Sequence, residues 1–376
     1  MLDIDVSRVT PMLVSHPMDC RMNTTVDLSR LHASLRTRPL FSGVEERDLE
    51  PLPDKGLAHD HVRIKGLRVD GNRPLVRLPR LSQFGLDPAH NLAYQAACFE
   101  RASRSGHVPV LIDRFEPSAD LPMGALIVAE IEGGPVKLPR DLGGMAACFA
   151  RVHTLSVPEE GARPPLASHA DPLMGVMGFI EAQAPFIERS ARDREVVRIL
   201  NEELSWARAF ADEKAGAHPP ARLCLTDTHP GNFMVAADGS VHFTDLEKAL
   251  YGSPAVDLGH ATVLTSTLWD IDVQAVLAHS DVQAFYAAYL GHLPTDMADA
   301  LRPWLLPMRR LAWLRSTTWS CKWYAERHVG QTEETGLRAR IRDHVSTRLA
   351  AFVELETVTR VREDWTGEKR LRLDEV

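Results

Sequence analysis

Two acids and an amide set around an Asp-Gly turn constrain this chain more than any other feature. Residues 223–257 read LCLTDTHPGNFMVAADGSVHFTDLEKALYGSPAVD. Asp-Gly between two short alternating runs is a strong hairpin signal. Residues 233–236 and 241–244 are therefore predicted to pair antiparallel around Asp238-Gly239. Such a hairpin returns the chain on itself, so Asn232 at its start meets Asp245 at its end. Asp227 stands just upstream, and the three side chains then face one small volume.

Phosphoryl transfer from a nucleotide needs such a set. A carboxylate positions the attacking hydroxyl and accepts its proton, and oxygen ligands hold Mg²⁺ on the phosphates. Magnesium takes one or two carboxylates plus water and phosphate oxygens. Asp227 fits the base, and Asn232 with Asp245 fits the metal ligands. The D-x-x-x-x-N spacing followed by a metal-binding Asp is also found in protein kinases.

The same residues carry a specific resemblance. Leu225-Thr226-Asp227-Thr228-His229-Pro230-Gly231-Asn232, then Thr244-Asp245-Leu246-Glu247, then Asp257-Leu258-Gly259 resemble the catalytic core of the aminoglycoside phosphotransferase and choline kinase-like family of small-molecule kinases. That family shows H-G-D-x-H-P-x-N, an I-D-F/W-E-like segment and D-L-A. Here Leu225-Thr226 replaces the His-Gly that precedes the base. The resemblance implies an α+β, bilobal protein kinase-like fold. A small antiparallel sheet lobe would hold ATP, or GTP, above a larger helical lobe, with Mg²⁺ between them. It also implies that Asp257 is structural.

Composition bounds the alternatives. Apolar residues make up 44% of the 376 and charged residues 25%, as in ordinary globular proteins. A net charge of −8 disfavours nucleic acid as a partner. Cys20, Cys98, Cys148, Cys224 and Cys321 are scattered and show no CxxC spacing. No disulfide framework or zinc site is expected, and a reducing cytoplasm is the expected location. No signal-like segment accompanies Asp3, Asp5 and Arg8, and no apolar run reaches the roughly eighteen residues of a membrane span. A monomer or homodimer is expected.

In chain order, residues 1–45 read as an N-terminal extension, with a short helix over 28–35 capped by Thr25. Residues 46–134 read as the sheet lobe and 135–376 as the helical lobe. Strands are expected around a Val69-Asp70-Gly71-Asn72 turn, with 56–61, which holds the single glycine Gly56, as the loop over the phosphates. The resemblance places the phosphate-holding cation at Arg77. An exposed strand arginine is the alternative. It also places the cation's partner at Gln95, on a helix spanning 88–105. Adenine would meet the backbone near Glu130 and Ile131, ahead of a Gly133-Gly134-Pro135 boundary. His153, ending a helix over 142–155, reads as a satisfied core histidine.

Further on, helices are expected over 171–186 and 188–213, with Glu202-Glu203 on a solvated face. The tail from 360 is expected to fray or to pack loosely. Trp304, Trp313, Trp319, Trp323 and Tyr324 lie close together in sequence. Core packing is their default reading, and an acceptor pocket is the sharper one. Trp269 and Asp270 are further acceptor-side candidates, although acids there could simply cap the next helix. The expected function is transfer of a nucleotide γ-phosphate to a hydroxyl of a small molecule: an antibiotic, amino alcohol, sugar or similar metabolite. The alternative is a non-catalytic, nucleotide-binding pseudokinase-like protein, suggested by Leu225-Thr226, the glycine-poor loop and Gln95.

Overall fold

The Val69–Asn72 turn joins the first two long strands. The structure, a computed structural model, describes residues 26–53, 58–190, 193–326, 336–368 and 370–376. Gly56, Thr25 and Cys20 lie outside the described residues. Helix α1 (Leu28–Leu35) is capped by Asp27, whose side chain accepts from Arg30 N–H. Asp27, directly before the helix, serves here in place of the expected Thr25.

Strands β1 (Leu49–Pro51), β2 (His59–Ile64) and β3 (Pro74–Pro79) are followed by helix α2 (Pro88–Ala102), then β4 (Leu111–Phe115) and β5 (Ala125–Ala129). They form one antiparallel five-stranded sheet in the order β1-β2-β3-β5-β4. Alternation decides its faces. Val62, Ile64 and Val76 join Leu31, Leu35 and Phe41 in one apolar cluster. The extension before the sheet thus covers one face. Leu126 and Val128 turn the other way, into the larger core with α2. Pro88 at the start of α2 and the Asp87 side chain, which accepts from Ala89 and His90 N–H, fix where that helix begins.

Past the sheet come β6 (Gly133–Pro135), α3 (Leu142–His153), α4 (Pro172–Gln183), α5 (Arg194–Glu213), β7 (Arg222–Cys224), β8 (Phe233–Ala236), β9 (Val241–Phe243), β10 (Leu250–Gly252) and α6 (Pro254–Thr262). The hairpin forms as read: Phe233 pairs with Phe243, and Gly239 takes φ +86° in the turn. Gly133-Gly134-Pro135 is more than a boundary. It pairs antiparallel with β8 as a third strand. A Cβ on Gly133 would overlap the Val235 carbonyl oxygen, so only glycine allows this approach.

The longer helices that follow are α7 (His279–Gly291), α8 (Thr295–Leu301), α9 (Leu305–Glu326), α10 (Gly336–Phe352) and α11 (Leu355–Arg362). Among the described residues none is long and apolar enough to cross a membrane. Two surface expectations are corrected. Glu203 is fully buried. Its carboxylate takes bonds from Arg310 Nε (2.6 Å) and Arg362 Nε (2.9 Å). The tail does not fray either. Trp365, Leu371 and Leu373 are buried, and Trp365 packs on Trp313 at 5.3 Å between ring centroids. Apolar burial and a paired buried charge hold both segments down.

Candidate active site

The hairpin brings the three sequence-derived residues together. Asn232 Nδ2 donates to the Asp227 carbonyl at 2.8 Å. At the other end of the hairpin, Thr244 N–H donates to the Asn232 carbonyl at 2.9 Å, which sets Asp245 beside them. Beneath this loop, Asp257 Oδ2 accepts from Leu225 N–H (2.6 Å) and Oδ1 from Thr226 N–H (2.9 Å). His153, fully buried, reaches Asp257 Oδ2 at 3.1 Å and the Tyr289 hydroxyl at 2.9 Å. It is the satisfied core histidine that was expected, and Asp257 braces the loop.

Thr226 occupies the position of the glycine in the resembling motif, at φ +64°. A β-branched residue in the left-handed region is a real outlier. Three bonds hold it. Its N–H goes to Asp257, its Oγ1 donates to the Lys248 carbonyl at 2.8 Å, and its own carbonyl accepts from Arg315 at 3.0 Å.

Lys248 and Arg315 escaped the sequence reading. Lys248 Nζ lies 2.6 Å from Asp227 Oδ2. Burial alone would raise the Asp227 pKa, but the Lys248 charge overrides it and holds the carboxyl well below the usual range. Lys248 follows the Thr244-Asp245-Leu246-Glu247 segment directly, which was a local signal. Arg315 comes from α9, far along the chain, and no local pattern marks it.

Arg77 is buried and faces the site. Its guanidinium donates to Asp245 Oδ1 at 2.9 Å and to the Thr244 carbonyl at 3.2 Å, so it is not an exposed strand arginine. The expected Arg77–Gln95 pairing does not occur. Gln95 Oε1 instead bonds His59 Nε2 at 3.0 Å, and His59 Nδ1 lies 3.2 Å from Glu247 Oε2. Gln95 carries no charge to draw the guanidinium, whereas Asp245 does. Burial, reinforced by the Asp245 charge, pushes the Glu247 carboxyl up, while burial and the Arg77 cation push His59 down. His59, Asp245 and Glu247 each place a ligand atom within 4.8 Å of the others.

At the sheet's edge, Glu130 N–H is committed to the Arg73 carbonyl at 2.8 Å. The Glu130 carboxylate is held by Arg63 at 2.9 Å and Arg73 at 3.0 Å. Of the aromatic residues considered for an acceptor pocket, Trp304 and Trp313 are buried, as the core reading expects. Trp319 is half-buried and meets Trp269 edge-on at 5.6 Å. Trp323 and Tyr324 are also half-buried. Asp270 lies against the 225–232 loop, where a Cβ on Gly231 would strike its carboxylate. Its Oδ1 also caps the next turn, accepting from Asp272 and Val273 N–H at 2.8 and 2.9 Å.

The phosphotransferase enzyme family model matches residues 55–304, more than half of the chain. The chain belongs to that family. A search of curated protein sequences returned no match. Among solved structures, this phosphotransferase is similar to an ethanolamine kinase of Plasmodium vivax at 13% identity and TM-score 0.57, covering 91% of this chain and 93% of that one. It is also similar to a choline kinase of Cryptosporidium parvum at 13% identity and TM-score 0.55, covering 90% and 95%. A third similar structure is the GDP complex of aminoglycoside 2'-phosphotransferase-IIIa, at 15% identity and TM-score 0.52, covering 90% and 99%. These likenesses share the bilobal kinase-like fold, and with the family they make the chain a small-molecule kinase.

Proposed function

We propose that this kinase moves the γ-phosphate of ATP, or of GTP, to a hydroxyl of a small molecule, with Asp227 as the residue that receives the hydroxyl. The observation that carries this reading is the meeting of Asp227, Asn232 and Asp245 around one hairpin, joined by the Asn232-to-Asp227 bond at 2.8 Å. Arg77 would neutralise phosphate charge, and the backbone near Glu130 and Ile131 would meet the base. The donor set suits a hard cation. The Asn232 amide uses its nitrogen on Asp227, which leaves Oδ1 as a ligand, and Asp245 keeps Oδ2 beyond its bond to Arg77. Mg²⁺ held there would draw charge off the phosphates.

The depressed Asp227 pKa supports a specific role. The carboxylate is an orienting hydrogen-bond acceptor more than a strong base. The hydroxyl oxygen attacks γ-phosphorus, the bond to the β-phosphate bridging oxygen breaks, and the proton passes to Asp227 late. In a loose transition state such late transfer is sufficient, and most of the catalysis is positioning. The Gln95–His59 bond favours the non-catalytic alternative, because it leaves the cation without the usual partner. One assay separates the two: ADP release with Mg²⁺ from the parent protein and from Asp227→Asn, across a hydroxyl-metabolite and antibiotic library. The catalytic reading expects turnover to drop roughly 10²–10⁴-fold in the variant, with nucleotide affinity little changed. Equal turnover in both proteins would sink it. Chelation of the metal should abolish turnover as well.

A further inference from the structure

His59 opens β2 in the sheet lobe, whereas Asp245 and Glu247 follow β9 at the end of the hairpin. Their ligand atoms nevertheless converge. One imidazole nitrogen and one oxygen of each carboxylate lie within 4.8 Å of one another. His59 and Glu247 are each only 4% exposed, while Asp245 keeps 28% of its side chain open and gives the group a way in. The hydrogens among these side chains do not add up. Gln95 Oε1 can only accept, so its 3.0 Å bond to His59 Nε2 takes the one hydrogen of a neutral imidazole. Nδ1 is left with a lone pair. It stands 3.2 Å from Glu247 Oε2, a buried oxygen that receives no hydrogen bond among the described residues. Two acceptor atoms therefore face each other away from water, an arrangement that is costly unless something bonds both. The neighbouring cations are committed elsewhere: Arg77 donates to Asp245 and the Thr244 carbonyl, and Lys248 to Asp227.

A separation of 3.2 Å falls between the right-angled and tetrahedral spacings of two ligands that each lie about 2.1 Å from a shared metal. The support behind the histidine is also in place. A ligating imidazole normally gives its other N–H to an oxygen that fixes its tautomer and orientation, and Gln95 does so here. Imidazole beside carboxylates suits zinc-type ions, whereas magnesium prefers oxygen alone. We propose that His59, Asp245 and Glu247 bind a divalent transition ion of the zinc type, with its remaining position open to solvent on the Asp245 side. The site uses no cysteine, so cysteine spacing gives no sign of it. It is separate from the oxygen-only pair Asn232 and Asp245 assigned to Mg²⁺, shares only Asp245 with that pair, and does not rest on the kinase reading. Because Arg77 already holds Asp245 Oδ1, the two ions share the other oxygen, and zinc bound here lowers the affinity for Mg²⁺. The ion also joins β2 to the end of the hairpin, which staples one lobe to the other.

The test titrates the full chain, stripped of metal by a chelator, with Zn²⁺ by calorimetry in the presence of equimolar Mg²⁺. A parallel titration with Co²⁺ is followed by visible absorption. The parent should take up zinc saturably at this site and melt at a higher temperature when loaded, and Co²⁺ should give the bands of a nitrogen-ligated ion. His59→Phe and Glu247→Gln each remove a ligand and should weaken Zn²⁺ at least about a hundredfold, while Gln95→Leu, which loses only the bond behind the histidine, should weaken it about tenfold. Circular dichroism checks that each variant folds, and the parent's own zinc binding and Co²⁺ spectrum need no variant. Absence of saturable zinc binding by the parent overturns the proposal and places a proton, not a metal, between His59 and Glu247. Zinc held equally well by parent, His59→Phe and Glu247→Gln also overturns it, because the ion then lies elsewhere. Mg²⁺-dependent ATP binding is measured on the same samples. Its absence, with zinc binding lost in the two ligand variants, removes the kinase reading and upholds the metal site.

Discussion

Lys248 Nζ sits 2.6 Å from Asp227 Oδ2, and each side chain retains 26% exposure. The residue proposed to receive the hydroxyl is thus held ionised by a cation that follows the Asp245–Glu247 segment at the end of the hairpin. This defines a pH signature. The folded pKa of Asp227 lies below its unfolded value of about 3.9. Its contribution to stability is therefore present above that unfolded value and lost as pH falls through the folded one. Lys248→Met removes the cation, so burial, the largest influence on this carboxyl, is opposed chiefly by His229 and His260 and raises it relative to the parent. The variant should be about 1–3 kcal/mol less stable at pH 7, the partial exposure keeping the figure below that of a sealed pair. The deficit should shrink as acid protonates Asp227. An acid limb should also enter the rate profile at a higher pH than in the parent. Superimposable pH–rate profiles would refute the assignment.

The strain at Thr226 can be measured with two substitutions. A β-branched residue at φ +64° stores about 1–3 kcal/mol. Thr226→Gly releases it but loses the hydroxyl bond to the Lys248 carbonyl, so the variant should stay within about 1 kcal/mol of the parent. Thr226→Val keeps the strain and loses the bond, and should be about 1–2 kcal/mol less stable. Urea unfolding gives the order, and a valine variant as stable as the glycine one would mean that the backbone is not strained.

Gly133→Ala should push β6 off β8, since the added methyl meets the Val235 carbonyl. Overpacking of this kind costs about 1–3 kcal/mol. Hydrogen exchange should accelerate at the Val235 amide, opposite Gly134, while the Ala236 amide, which donates to the Ser240 carbonyl within the hairpin, stays protected; unchanged protection at Val235 would show that the ladder yields without breaking.

Glu203→Ala should cost about 3–5 kcal/mol, because Arg310 and Arg362 lose the buried carboxylate they share. Trp365 Nε1 also donates to Glu203 at 3.4 Å, so its fluorescence should shift to the red as the tail loosens. A parent-like melting curve and spectrum would count against the tail's role as a clamp.

What could be read from the sequence was what is local. Asp227, Asn232, the Asp238-Gly239 turn and Asp245 fall within a stretch whose spacing alone dictates the hairpin, and Asp257 and His153 behave as expected. Gln95 was placed on the right helix but given the wrong partner, because the choice between Arg77 and His59 depends on where Asp245 and Glu247 arrive from far downstream. Arg315 and Glu203 illustrate the same limit. Each looks like an ordinary surface charge in its own helix, and only packing of α9 and the tail shows otherwise. Lys248 differs, since its position beside Asp245 was visible and only its direction across the hairpin was not.

The pairing of β6 with β8 has a mechanical consequence. The strand that leaves the sheet lobe is stitched to the hairpin that begins at Asn232. A swivel at Gly133-Gly134 would have to unzip that ladder, so any closing motion of the two lobes must pivot upstream, at residues 130–132. The strand between the lobes and the hairpin then travel as one ribbon on the far side of that pivot, so the sheet lobe swings against a platform that already carries Asn232 and its bond to Asp227.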